Sequence, residues 1–177
     1  MKRIAVACFL LVATSSILFL ACSKEKSADH GGGNTTLKLK MTDAPLDADQ
    51  VNIDIQQIRV NFGDDSTTGW VNLDTHAGIY DLLGLQNGVD TLLAVGVVPT
   101  NVLKHIRFVL GSGNTIMVDS VVYPLSIPSG SESGLKININ KQLNGTLDSL
   151  LIDFDAALSI HQTGAGDYKL KPVLKIR

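Results

Sequence analysis

The sequence predicts an all-β fold, an antiparallel β-sandwich, on three observations. Short segments alternate apolar and polar residues with a period of two, the spacing that puts one set of side chains on one face of a strand. Clusters of Gly, Asn, Asp, Ser and Pro separate these segments. No stretch has convincing helical periodicity, and many short strands divided by turns are the pattern of a sandwich.

The strands follow in order. Leu37, Leu39 and Met41 alternate with Lys38 and Lys40, which makes a half-buried strand. Val51, Ile53 and Ile55 alternate with Asn52 and Asp54; the phase then slips at Gln56-Gln57, and Ile58 and Val60 continue one residue out of step. Such a slip marks a β-bulge or a bend between sheets. Gly63–Gly69 is a turn cluster. Apolar runs follow at Trp70–Leu73 and Ile79–Leu83, and Asp81–Leu85 suits a single helical turn. Leu92–Val98 is continuously apolar and reads as a strand buried on both faces. Ile106, Phe108 and Leu110 alternate with polar neighbours. Ile116–Val118 and Val121–Tyr123 flank Asp119-Ser120, a two-residue hairpin. Pro128–Gly134 is a loop, and Leu135, Ile137 and Ile139 form the next inward face. Ile152, Phe154, Ala156, Leu158 and Ile160 read as one long strand. Tyr168 to Ile176 reads as the last, with Pro172 placing it at an edge or where no ladder donor is needed.

The chain begins differently. Lys2 and Arg3 precede an apolar run from Ile4 to Leu20, then Ala21 and Cys22, the layout of an export signal with a small residue before its cleavage point. The end of this segment resembles the lipobox of bacterial lipoproteins, with Phe19 where leucine is commonest. That resemblance implies removal of residues 1–21 and a diacylated Cys22 as the new N-terminus. Two or three acyl chains would hold a protein stably at a membrane. The alternative is an uncleaved membrane-spanning anchor; the polar break at Thr14–Ser16 and the Ala-Cys end favour cleavage. Ser23–Thr36 (SKEKSADHGGGNTT) then forms, with Cys22, a flexible tether, residues 22–36, reaching roughly 20 Å as a random coil. The sandwich domain is expected over residues 37–177.

Without Lys2 and Arg3 the chain has 13 basic residues against 17 acidic, a net charge of −4. Nothing in it stands out as a basic block, so nucleic acid is not the expected partner. The two cysteines are Cys8, inside the signal, and Cys22. The domain therefore has no thiol for a disulfide, a zinc site or nucleophilic catalysis. Trp70, between a turn and a strand, is the natural candidate for stacking on a sugar; covering the sandwich edge is the commoner use of such a residue.

Five landmarks occur in order: MTDAP at Met41–Pro45, HIRFVLG at His105–Gly111, IPSGSESGLKI at Ile127–Ile137, DFDAALSI at Asp153–Ile160, and YKLKPVLKI at Tyr168–Ile176. Together they resemble a family of bacterial, Bacteroidota-type lipoprotein domains known as domain of unknown function 4382. Pro99-Thr100-Asn101-Val102 departs from its pattern. The resemblance implies a cell-envelope β-sandwich, transthyretin-like or immunoglobulin-like, and no reaction.

Five aspartates are candidates for a cation such as calcium, which wants six to eight oxygen ligands. Asp43, Asp47 and Asp49 crowd one loop, and Asp153 and Asp155 lie two residues apart. Asp43 before Ala-Pro equally suits a turn, and Asp153 and Asp155 equally suit exposed pairs with Lys136 or Lys171. His76, His105 and His161 show no metal-ligand spacing, and Ser129, Ser131 and Ser133 no nucleophile motif. The expectation is a non-enzymatic, lipid-anchored binding or structural module of the cell envelope, at the outer membrane on its periplasmic or surface face. Its partner would be an envelope protein or an extracellular ligand. A fimbrial or adhesin-like subunit assembling by strand exchange, or a metal-dependent hydrolase, are the alternatives.

Overall fold

A computed structural model describes residues 33–128 and 134–177. The alternation becomes β1 (Asn34–Asp43), β2 (Gln50–Asn61), β3 (Val71–Asn72), β4 (Asp74–Thr75), β5 (Gly78–Asp81), β6 (Thr91–Pro99), β7 (Val102–Leu110), β8 (Thr115–Val118), β9 (Val121–Ser126), β10 (Leu135–Gln142), β11 (Leu147–Phe154), β12 (Ile160–Gln162), β13 (Tyr168–Leu170) and β14 (Leu174–Ile176). The first sheet has the order β14-β11-β1-β6-β4. The second has the order β10-β7-β2-β8-β9-β13-β12, with β3 and β5 also on β2. The two sheets share one apolar core, so the expected all-β sandwich is the architecture found.

It is not purely antiparallel. β1 runs parallel to β11 and β13 parallel to β9, so both sheets are mixed. Alternation tells which face of a strand is buried, not which neighbour it takes or in which direction. β1 also starts at Asn34, three residues before its apolar pattern, because Thr36 N donates to Thr146 O and Asn34–Thr36 pair with Val97–Pro99.

The slip in β2 is a bulge. Ile55 pairs with Leu110 and Gln57 with Val109, leaving Gln56 as the extra residue. Val51, Ile53 and Ile55 before it, and Ile58 and Val60 after it, are all buried. The β8–β9 hairpin closes on Asp119 and Ser120 with φ of 49° and 63°, the two left-handed residues of a type I′ turn. Leu82–Leu85 forms the helical turn, a 3-10 helix capped by Asp81.

Three expectations need correction. β6 is buried on one face only: Leu93, Ala94 and Val98 face the core, while Val97 is exposed. The long strand ending at Ile160 breaks after Phe154. Asp155 caps a helical turn, α1 (Ala156–Ser159), by accepting Leu158 N at 3.0 Å. That local bond outcompetes the ladder and turns Leu158 outward. The last strand also divides. β13 joins β12 and β9 in the second sheet, β14 joins β11 in the first, and Lys171–Val173 crosses between them. Pro172, which has no N–H to donate, sits at that crossing. Both halves are paired within the fold.

Phe108 and Phe154 are the largest fully buried side chains. Phe154→Ala is expected to cost about 3–5 kcal/mol in chemical denaturation, and Leu158→Ala, on the exposed side of the same landmark, under about 1 kcal/mol. Equal losses would mean that the chain continues as a strand through Leu158.

Candidate functional site

The acidic candidates converge where β1 and β11 end. Parallel pairing sets Thr42 beside Asp153 and Asp43 beside Phe154. Asp43 Oδ1 accepts Ala156 N at 3.0 Å, so the last side chain of β1 caps the turn that follows β11. Gln86 Nε2 stands 3.5 Å from Asp43 Oδ2. Thr42 Oγ1 faces the carbonyls of Leu85 and Val89, each at 2.9 Å. Asp155 Oδ2 takes Lys175 Nζ at 2.8 Å. Asp153 Oδ2 takes Arg177 Nε at 3.0 Å and Nη2 at 2.6 Å. Ser159, fully buried, completes the knot: its Oγ donates to Asp155 O at 2.6 Å and accepts Val173 N at 2.8 Å.

Asp153 and Asp155 are therefore not the exposed pairs that the alternation implied. Both are buried, and their partners are Arg177 and Lys175 rather than Lys136 or Lys171. The reason is β14, whose antiparallel register puts Lys175 opposite Asp153 and covers that side of β11.

The electrostatics follow from the bonds. Burial pushes the Asp43 carboxyl up from 3.8 to about 6; the Ala156 N–H opposes this, and the nearby Asp153 charge adds to it. The Lys175 ammonium holds Asp155 below the ordinary carboxylate value, against some desolvation. No such closure involves the other two candidates. Asp47 and Asp49 are exposed, and Asp49 Oδ2 accepts Ser120 N at 2.8 Å, tying its loop to the β8–β9 turn. Among the described residues, no three His, Cys, Asp or Glu side chains form a group that could hold a metal ion. Cys22, the tether as far as Gly32, and Ser129, Ser131 and Ser133 lie outside the described residues.

A second polar centre escaped the sequence reading. Asp54, on the bulged strand, is buried. Its Oδ2 accepts Gly113 N at 3.0 Å, its Oδ1 accepts Gln56 Nε2, and its N–H donates to Asn114 Oδ1 at 2.9 Å. Gly111 is required there, because a methyl group on its Cα would lie 2.1 Å from Asp54 Oδ2. This knot shapes the β7–β8 connection. Trp70 lies on the outer face of the second sheet, with the Arg107 guanidinium carbon 4.1 Å from its ring centre.

These features define a class: an all-β sandwich domain whose buried aspartates serve its own backbone and its own cations. The chain belongs to the family described as Domain of unknown function (DUF4382), whose model matches residues 34–172. That match begins with the first residue of β1 and ends at the proline where the chain crosses between sheets. No curated protein and no solved structure matches the chain.

Two outcomes test the acidic end. A carboxyl whose folded pKa is raised contributes stability that is fully present below pH 4 and lost as pH rises through about 6. Asp43→Asn keeps an oxygen for Ala156 N, so it should remove this loss, worth up to about 3 kcal/mol. The variant should melt higher than wild type at pH 7 and equally at pH 4; an unchanged pH profile would show that Asp43 titrates as an ordinary carboxyl. Arg177→Ala leaves Asp153 buried and unpaired, and should cost about 2 kcal/mol. Adding Asp153→Asn should recover part of that in a double-mutant cycle; a zero coupling energy would exclude the pair as a stabilising contact.

Proposed function

We propose that this chain is a lipid-anchored cell-envelope domain that works by binding or support rather than by catalysis. The observation that carries the reading is the commitment of its buried carboxylates. Asp43 and Asp155 cap backbone N–H groups, Asp155 and Asp153 neutralise Lys175 and Arg177, and Asp54 holds the β7–β8 connection. One buried oxygen, Asp153 Oδ1, has no partner among the described residues; a metal-dependent hydrolase would need several such oxygens free for a cation and a water. What remains for function is the surface: the loops Pro45–Asp49 and Gly63–Gly69 and the sheet faces.

The lipid anchor is supported by the sequence Leu18-Phe19-Leu20-Ala21-Cys22 after a basic start and an apolar run. With such an anchor the protein would sit at the envelope, at the outer membrane on its periplasmic or surface face. Calcium stays outside this reading, and chelation should leave the melting temperature unchanged; a large fall would put a cation back among the aspartates. Cys22→Ser should leave an unprocessed precursor that incorporates no labelled fatty acid, and labelling of that variant would overturn the anchor. Crosslinking on intact cells followed by membrane pull-down should recover an envelope partner or ligand, and protease shaving divides periplasmic partners from external ones.

A further inference from the structure

The outer face of the second sheet carries a row of positive charge that no ion pair among the described residues neutralises. Arg59 on β2 is the direct cross-strand partner of Arg107 on β7, and Arg107 is the partner of Lys136 on β10. Adjacent strands lie about 4.8 Å apart, so three cations stand side by side over about 10 Å. Like charges placed directly opposite one another destabilise a sheet. Among the described residues, the ion pairs engage Lys40, Lys104, Lys175 and Arg177, and none engages this row. The Nε atoms of Arg59 and Arg107 are buried and have no acceptor among the described residues, which adds a desolvation cost. The acids of the neighbouring loop are already taken: Asp64 pairs with Lys104 at 3.3 Å, and Asp65 accepts the backbone N–H and hydroxyl of Thr67. A fold that keeps such an arrangement at its own cost is keeping it for something outside itself.

The surroundings indicate what. Trp70 borders the row, beneath Arg107, and its indole N–H donates to Ser66 O at 2.9 Å, while Lys136 Nζ reaches Ser66 Oγ at 2.7 Å. Amides alternate with the cations on the same face. Gln57 lies two residues from Arg59, Asn138 two residues from Lys136, and Asn72 is Arg59's partner on β3. Guanidinium forks take oxyanions two bonds at a time. Amide side chains both donate and accept, which suits hydroxyl groups, and an indole face or edge packs on a sugar ring. A phosphodiester polymer offers phosphates but few hydroxyls, and it is attracted by extended positive charge, which this net-acidic chain lacks.

We propose that this face binds an acidic polysaccharide, its carboxylate or sulfate groups on Arg59, Arg107 and Lys136 and its hydroxyls on the flanking amides. The proposal rests on the binding reading above and supplies its ligand class; it does not depend on the lipid anchor.

The test uses the full chain purified in detergent, with polygalacturonate, dextran sulfate, neutral dextran and duplex DNA as probes. At least one acidic polysaccharide should bind, more weakly as salt is raised, and neutral dextran should not. Arg59→Gln with Arg107→Gln should weaken that binding at least 30-fold while the melting temperature stays level or rises, because a like-charge contact has been relieved. Lys38→Gln with Lys169→Gln, which removes the same charge elsewhere, should leave binding within twofold. Should the arginine pair fail to fold, Lys136→Gln, at an exposed position, should alone weaken binding about fivefold. The proposal is overturned by no binding to either acidic polysaccharide, by equal or tighter binding to duplex DNA, or by loss of stability with binding retained, which would make the row structural. If crosslinking still captures an envelope partner when the acidic polysaccharides fail, this inference falls and the binding reading stands.

Discussion

One extra residue in β2 holds the architecture together. β2 pairs with β8 and β5 through its first half and with β7 and β3 through its second. A strand of unbroken alternation would bury one of these halves and expose the other. Gln56 shifts the phase, so Ile55 and Ile58 both enter the core. The bulge also sets Asp54 against Gly111 and Gly113, which fixes how the chain leaves β7. The order of the second sheet, and the side-by-side placement of Arg59 and Arg107, follow from the register on either side of that residue.

The features that were legible in the sequence are those set by local chemistry. Period-two runs located the core faces of β1, β2 and β7, the phase slip located the bulge, and Asp119-Ser120 located the hairpin. Features that depend on a distant partner were not legible. The parallel pairing of β1 with β11 leaves no trace in either strand's pattern. Asp155 continues the alternation of β11, yet its side chain is one acceptor away from a helical cap, and the cap prevails. Pro172 marked a missing donor correctly, but not that the chain changes sheets there.

The candidate site divides along the same line. Asp43, Asp153 and Asp155 could be singled out because acids two residues apart, or crowded in a loop, are visible in one dimension. Their chemistry could not, because Lys175 and Arg177 reach them only once β14 lies on β11. The row of Arg59, Arg107 and Lys136 is the reverse case. Each residue is an ordinary outward position of its own strand, and only the register of three strands makes them neighbours.

The place of β1 sets the order in which the molecule can be assembled. The first strand lies inside its sheet, between β6 and β11, and Thr36 finds its partner in Leu147. Closing so long a stretch of chain is entropically expensive before any contact repays it. Until β11 has been made, β1 has one open edge and the core lacks Leu150, Ile152 and Phe154. The domain is thus built to stay open through most of its synthesis and to close late, when nearly the whole chain is present.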